Sequence, residues 1–515
     1  MDINKKIEKK GNFLDHLFVL LSIQISEHSN SEPGENKMNK ESIQDQEKKL
    51  EIGRLGPRVI EADFSAGRVS SDGGALLLRE VDKKLRLTER LAQCFKDYRK
   101  VELIEHTVEQ IIAQRVYGLA LGYEDLNDHE ELSKDPLLAS VVGKKDPLGE
   151  LRRSPKDRGN GLASASTLGR LERTEEDANE KSRYEKIVCN FESLSEVFLQ
   201  IFIESFKYIP PRLIIDLDPS DIQLHGQQEE RFYHGYYHNY CYLPMYIFCG
   251  QYPLFVSLRP ANIDGAKGSV EMLEKVVTYI RKSFPDTHII IRGDSGFCRE
   301  NLMNWCEQNS IDYVFGISKN KRLEKVLEKK MKKAKSRHFR SGQPVRFFKD
   351  FFYRTLKGWS RKRRVIGKAE YLSKGGNPRF VVTSLLAKEF EKRYVYEELY
   401  CARGEMENRI KEQQLDLFGN RASGHKFRTN SVRLWLSAAA HLLIVCLRKI
   451  ALEGTELCNA QATTIRVKML KIGALFTMSV RRIYIRLSSA YPLKNLFYIA
   501  LNRLKKEISL QQVKV

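Results

Sequence analysis

The sequence predicts an α/β fold built on a mixed sheet, and three observations predict it. Ile289 to Glu300 reads I-I-I-R-G-D-S-G-F-C-R-E, an apolar β-branched run of the kind found in buried strands, ending in one carboxylate, Asp294, and a Gly-containing turn. From Pro211 the hydrophobic period changes, and the order to Ile317 is strand, strand, strand, helix, strand, helix, strand. That order describes a mixed α/β layer with an antiparallel hairpin on one side. Two more acids, Asp218 upstream and Glu407 downstream, stand in settings that would bring them to Asp294. An acid at the C-terminal end of a buried strand sits where open α/β sheets place their chemistry.

The chain of 515 residues is 42% hydrophobic, enough for more than one domain. It carries 87 Lys and Arg against 66 Asp and Glu, a formal charge of +21. That balance favours a polyanion partner, most often nucleic acid; the plainer alternative is a basic but ordinary soluble protein. Nine cysteines are scattered, the pairs Cys241/Cys249 and Cys298/Cys306 each eight apart, too wide for a C-x-x-C metal knuckle. Such usage suits a reducing, cytoplasmic compartment with mostly buried thiols.

In chain order, residues 1–52 read as an extension without stable structure. Leu17 to Ile25 is an apolar run too short to span a membrane and lacking a cleavage site, and residues 26–50 are polar without periodicity. Neither a membrane span nor export is expected. Folded chain is expected from near Gly53, and residues 53–208 form a helical N-terminal region. Its helices fall over Ala75 to Leu87, 101–122, Asp125 to Leu132, Ala165 to Glu175 and 184–208, with Gly143 to Gly161 a loop. No helix-turn-helix signature stands out in it.

Residues 209–318 hold the first part of the α/β layer. The expected strands are Leu213 to Asp218, Tyr240 to Phe248, Tyr252 to Leu258, Thr287 to Arg292 and Tyr313 to Ile317. The helices are Ser269 to Phe284 and Glu300 to Asn309. Lys319 to Lys368 then contains 20 Lys and Arg and 3 Asp and Glu, a net of +17. With Phe347, Phe348, Phe351, Phe352, Tyr353 and Trp359 interleaved, residues 319–388 read as a basic, mostly β insertion domain suited to phosphates and bases. Its helix is expected over Lys321 to Lys335, and its strands over Pro344 to Tyr353, Arg363 to Leu372 and Arg379 to Leu385. Residues 389–452 return to the layer with helices over Glu389 to Gln414 and Ser431 to Leu452. Residues 453–515 are a basic C-terminal region whose last 30 residues look like an amphipathic helix.

Three carboxylates are the minimum for a two-metal phosphoryl-transfer site, because hard divalent cations take oxygen ligands. In Asp216-Leu-Asp218-Pro-Ser220 the two acids share a strand face; Asp218 is preferred as nearer the strand end, with a turn-forming role as its bland alternative. For Asp294 the alternative is a turn or helix cap. Tyr400, Arg403 and Glu407 lie at i, i+3 and i+7 of a helix, continued by Lys411, and the alternative is a salt-bridged surface.

These blocks resemble the DDE transposases of bacterial insertion sequences, in the retroviral-integrase superfamily with its RNase H-like fold. The likeness is to the branch marked by Tyr, two residues, Arg, three residues, Glu, which Tyr400, Arg403 and Glu407 reproduce. Asp218-Pro-Ser220 and Gly293-Asp294-Ser-Gly-Phe297 look like the first two acidic blocks. His225-Gly-Gln-Gln228, Tyr242-Leu-Pro-Met-Tyr246 and Tyr400-Cys-Ala-Arg-Gly-Glu-Met-Glu-Asn-Arg409 look like one subgroup, the thirteen-eighty family of insertion sequences. The resemblance covers roughly residues 60–450. The branch usually places a Lys seven positions after the Glu; here that position is Gln414, with Lys411 three residues earlier.

The resemblance implies cleavage of double-stranded DNA at the ends of a mobile element and joining of the 3′ ends to target DNA. Two Mg²⁺ ions, with Mn²⁺ as a substitute, would be held by Asp218, Asp294 and Glu407. It implies a homodimer on paired ends and DNA contacts from Tyr400, Arg403 and Lys411. In the insertion, the basic run Arg361, Lys362, Arg363 and Arg364 would contact DNA, and Trp359 would stack a flipped base, the plainer alternative being a strand-core or surface Trp. An RNase H-like nuclease without strand transfer and an inactive DNA-binding element copy are the competing classes.

Overall fold

The computed structural model describes residues 49–506 apart from Lys357. The Leu17 to Ile25 run, nearly all of the expected 1–52 extension, Lys357 and residues 507–515 lie outside the described residues. The chain divides into two compact units, 1–66 and 67–515. In the first, Leu50–Leu55 pairs antiparallel with Arg58–Ala62, with a register slip between Glu51 and Gly53.

The second unit begins with short elements and a helical layer. Val108–Leu121 (α1) starts at Thr107 in a capping box, in which Thr107 Oγ1 accepts from the Gln110 N–H and the Gln110 side chain accepts from the Thr107 N–H. The helix expected over 184–208 is shorter, Phe191–Glu204 (α2), capped by Asn190. The residues before it, Ile187–Cys189, pair instead as a strand with Phe95–Asp97.

After Pro211 the strands assemble as the alternating runs require. Arg212–Pro219 (β1), Met245–Cys249 (β2), Tyr252–Ser257 (β3), His288–Gly293 (β4) and Asp312–Ile317 (β5) form one half of a nine-stranded sheet. Ser269–Ser283 (α3) precedes β4, and Glu300–Gln308 (α4) crosses from β4 to β5. The strands β1, β4 and β5 run parallel, and β2 and β3 are antiparallel to their neighbours. The strand expected over Tyr240 to Phe248 is two strands. Asn239–Tyr242 turns away before Leu243-Pro244 and joins Ile222–Gln223 and Phe232–His234 in a small three-stranded sheet.

The basic segment does not form the separate insertion domain expected over 319–388. Lys321–Ser341 (α5) is a longer helix than foreseen, from an Asn320 cap to Gly342. Val345–Tyr353 (β6), Arg363–Leu372 (β7) and Arg379–Thr383 (β8) then extend the same sheet, in the order β3-β2-β1-β4-β5-β8-β7-β6, with the two-residue strand Gly375–Gly376 paired to β7 as the ninth. The reason is visible in the period of two. Ile289, Tyr313, Phe315, Phe380, Val382 and Val365 point into the main core, whereas Ile290, Val314, Val381 and Ile366 point to a second cluster on the opposite face. Both faces of β7 and β8 are apolar, so these strands are sheet interior. The stripe Leu323, Leu327 and Ala334 buries α5 on β7, and Leu327 fills the space that a side chain at Gly367 would need.

The helix expected over Glu389 to Gln414 is composite. It passes through a wide π-turn at Val395–Tyr400 and a tight turn at Cys401–Arg403. It becomes α-helical over Gly404–Lys411 (α6) and widens again over Glu412–Asp416. Phe427–Cys446 (α7) is buried on almost every side, packed between α1 and β3. With its continuation to Ala451 it is long and apolar enough to cross a membrane, mean hydropathy 1.6, yet 89% of that window is buried inside the fold. The amphipathic helix expected over the last 30 residues begins later, at Lys494. Ala474–Met478 pairs with Arg68–Ser70 on one side and with Ile483–Leu487 on the other, and among the described residues beyond Leu487 the helix is Lys494–Lys505 (α8). All nine cysteines are free, and of them Cys401 is exposed.

Candidate active site

The parallel register of β1 and β4 sets Asp216 opposite Arg292 and Leu217 opposite Gly293. The next positions, Asp218 and Asp294, therefore stand side by side where two adjacent strands reach their C-terminal ends. Asp294 also caps the turn after β4, accepting from the Gly296 N–H at 2.8 Å through Oδ1. The cap foreseen as an alternative role is real, and it fixes the orientation of the carboxylate.

Beneath this turn lies Gly316 of β5. A β-carbon there would stand 2.6 Å from Tyr400 Oη, 3.0 Å from the Ser295 backbone nitrogen and 3.3 Å from the Asp294 carbonyl carbon. Glycine is thus what lets Tyr400 and the Asp294 turn close over the sheet. The helix α6 packs against β1 and carries Glu407, with Arg403 one turn before it. Arg403 donates from Nη1 to Asp218 Oδ2 at 3.0 Å and from Nη2 to Glu407 Oε1 at 2.7 Å. Tyr400, Arg403 and Glu407 thus face the ends of β1 and β4, although the chain between Tyr400 and Arg403 is a tight turn rather than regular α-helix.

Burial pushes the Asp218 carboxyl up to about 7, and the neighbouring charges of Asp294 and Glu407 push the same way against Arg403. Burial opposes the Arg403 charge, and Asp218 and Glu407 more than offset it. Crowded carboxylates of this kind are what a divalent cation relieves, and three oxygen-donor side chains suit a hard ion. Among the described residues, no three acidic, His or Cys side chains close on a single point as a formed metal cage. The Arg403 guanidinium bridges Asp218 and Glu407 through one oxygen of each.

Asp216 and Glu405, the competing acids, have other places. Asp216 is 3% exposed and held by Arg292 through both Nε and Nη2, the latter at 2.7 Å. Arg292 also donates to the Leu399 carbonyl at 2.5 Å, tying β1 and β4 to the turn before Tyr400. Glu405 is exposed.

Gln414 occupies the position where the branch usually has Lys. It donates to the Asp221 carbonyl at 3.2 Å and Tyr246 Oη at 3.3 Å, and accepts from Ser220 at 3.4 Å. It fastens the chain just past Asp218, while Lys411 is exposed. The roles of Arg292 and Gly316 were not read from the sequence, and Gln414 was marked there only as a departure from the branch. An apolar strand ending in Arg-Gly-Asp was the signal for Arg292; nothing local marks Gly316.

The basic run after Trp359 divides. Arg361 and Lys362 are exposed, with Arg361 on Glu307 at 2.5 Å. The expectation that Arg363 and Arg364 face DNA fails, because both lie inside β7. Arg363 is 3% exposed and bonded to Glu300, Asn304 and Glu307. Arg364 is bonded to Asp350 and to the Leu385 and Phe390 carbonyls. Trp359 is also buried, edge-on to Tyr353 with ring centroids 5.8 Å apart and with Arg363 over its ring. A base could not reach it without moving that packing.

Paired aspartates on adjacent parallel strand ends, beneath a helix bearing Glu and Arg, form the arrangement that a metal-assisted phosphoryl transferase needs. The chain belongs to the transposase DDE domain group 1 family, which it matches over residues 53–509. That membership gives an RNase H-like fold, in keeping with the mixed sheet, and a transposase role with DNA as substrate; such enzymes generally use divalent metals. No curated protein matches the chain.

Proposed function

We propose that the protein is a transposase of the Tyr-Arg-Glu branch, close to the thirteen-eighty family of insertion sequences. It would cleave the ends of its element and join the 3′ ends to target DNA by two-metal phosphoryl transfer. The observation that supports this best is the side-by-side exit of Asp218 and Asp294 from β1 and β4 beneath Arg403 and Glu407.

In this reading Asp218, Asp294 and Glu407 hold two Mg²⁺ ions, with Mn²⁺ able to replace them. Bound there, the ions supply charge that activates the attacking oxygen and stabilises the leaving one. Asp294 is held in place by its Gly296 bond, and Asp218 is crowded enough to favour a cation over its own proton near neutrality. Arg403, freed from its carboxylates, is placed to take a phosphate oxygen, and Tyr400 keeps its position over Gly316. The exposed basic face of α5, together with Arg361, Lys362 and Lys411, supplies backbone charge for the duplex. Two element ends call for a dimer, with sequence-specific contacts from the helical N-terminal region or the basic C-terminal region.

The test is cleavage of DNA carrying the sequences that flank the gene on its element, in Mg²⁺ and in EDTA, with wild type and Asp294→Asn. Nicking at the end boundaries that needs metal and is lost in the variant is the expected result. Joined products on added target DNA distinguish a transposase from a nuclease of the same fold. End binding without cutting by the wild type would leave an inactive DNA-binding copy as the better account.

A further inference from the structure

The small sheet formed by Ile222–Gln223, Phe232–His234 and Asn239–Tyr242 is rooted directly beyond Asp218. Tyr246 of β2 pairs with Asp218, the Ser220 N–H donates to the Pro244 carbonyl at 3.2 Å, and Ile222 pairs with Tyr242. The hairpin that projects from this root reads Arg231-Phe-Tyr-His-Gly-Tyr-Tyr-His-Asn-Tyr240. One set of its side chains anchors it. Phe232 and Tyr237 pack on Cys241, Leu243 and Ala261, a small core of its own, and Asn239 donates to Asp221 at 3.2 Å.

Another set contributes little to that core. Tyr236 is 80% exposed, Tyr233 54% and Tyr240 44%. Tyr233 stands edge-on to Tyr240 at 5.5 Å and Tyr236 edge-on to Tyr237 at 5.0 Å, so the rings are ordered against one another. The Arg231 guanidinium lies 3.8 Å from the Tyr240 centroid, and Gln227 of the His225-Gly-Gln-Gln228 string accepts from it at 2.9 Å. Exposed, pre-ordered rings interleaved with a cation are the composition of surfaces that stack bases of a single strand while drawing in its phosphates. A duplex buries its base faces and offers such rings nothing to stack on.

We propose that this tyrosine hairpin is a stacking platform for unpaired bases of the DNA strand that runs from the carboxylate site. Tyr233, Tyr236 and Tyr240 supply the faces and Arg231 the charge. Assigning the strand to DNA rests on the transposase reading, whereas the preference for unpaired bases rests on the hairpin alone.

The experiment uses the full chain in EDTA, so that binding is read without cleavage. The probes are a fluorescent 20-nucleotide mixed-sequence DNA strand, its duplex, and the duplex with a six-nucleotide single-stranded tail. Tyr236→Ala should weaken the single strand and the tailed duplex about tenfold and leave the blunt duplex within about twofold. Tyr236→Phe should keep wild-type affinity, since stacking uses the ring. Tyr233→Ala with Tyr240→Ala should weaken the strand further. Equal loss on all three probes, no loss on any, or loss with Phe as large as with Ala would overturn the proposal.

A second measurement needs no variant. A strand carrying 5-iodouracil, irradiated with the wild-type protein, should cross-link within residues 231–240; cross-links found only elsewhere would also overturn it. Absence of metal-dependent cleavage by the wild-type protein in the functional test above, with strand binding intact, would count against the transposase reading and not against the platform.

Discussion

Gly316→Ala is the sharpest single probe of how the fold builds the site. The added methyl group meets Tyr400 Oη at 2.6 Å, the Ser295 nitrogen at 3.0 Å and the Asp294 carbonyl carbon at 3.3 Å. The first contact is the tip of a side chain that can swing aside. The other two are backbone, and the turn they belong to is fixed by the Asp294 to Gly296 bond. Overpacking of this kind costs about 1–3 kcal/mol. Spread over roughly 450 folded residues, with unfolding entropy near 2.1 cal/mol/K per residue, that is a melting shift of only about 1–3 °C. The chemical effect is much larger, because a displacement near 1 Å of a group that orients a reaction costs about a hundredfold. Gly316→Ala should therefore fold, bind end DNA within about twofold of wild type, and cleave it about a hundredfold more slowly. Adding Tyr400→Phe removes the 2.6 Å contact and should restore part of the stability; cleavage should stay low because the backbone contacts remain. The assay is single-turnover cleavage beside a binding titration and a thermal melt. A folded Gly316→Ala protein that cleaves like wild type would refute the reasoning, as would equal losses of binding and cleavage.

Two other changes test the charges. The Asp218 carboxyl is raised from an ordinary 3.8 to about 7, so in metal-free protein its protonation stabilises the fold at low pH, and that contribution is lost as pH rises through 7. The ceiling on the effect is about 4 kcal/mol. In EDTA, Asp218→Asn should be more stable than wild type at pH 8 and no more stable at pH 4, by denaturant titration; an equal difference at both pH values would refute this. Arg292→Leu leaves Asp216 buried without its cation and should cost about 3–5 kcal/mol, with part recovered by adding Asp216→Asn. A neutral Arg292→Leu would show that the pair does not hold β1 to β4.

Much of the catalytic half was legible because its signals are local. Each large-sheet strand from Leu213 to Ile317 carries a run of apolar residues, unlike the short strands of the hairpin beyond Asp218, and Asp218 and Asp294 are conspicuous as acids where such runs stop. What was not legible is pairing across long stretches of chain. Nothing in Arg363 to Leu372 says that its neighbour will be Arg379–Thr383, which itself pairs with β5, so a continuous sheet was read as a separate domain. The same blindness turned Arg363 and Arg364 into DNA ligands. A run of four cations looks like a surface, and only the burial of β7 among Glu300, Glu307 and Asp350 shows that two of them are internal counter-ions. Asp216 and Asp218 share a face and a residue type; the Arg that separates their roles is 76 positions away from Asp216. At the C-terminus, Ile483-Tyr-Ile-Arg-Leu487 alternates as a strand, but its partner Ala474–Met478 carries no signal that marks the pairing.

If DNA lies against the outer strand, the fusion of the basic strands to the sheet that carries Asp218 would make the molecule a gauge. From β1 to the outer strand β6 there are five strand intervals, with no hinge between separate layers along the way. At about 4.8 Å per interval the span is roughly 24 Å, close to seven base-pair steps of about 3.4 Å. A duplex gripped along that outer edge would meet the carboxylates at a set number of steps from the grip. The position of the cut would then be counted off by hydrogen-bonded strands, as marks on a rigid rule, rather than left to the reach of a tether.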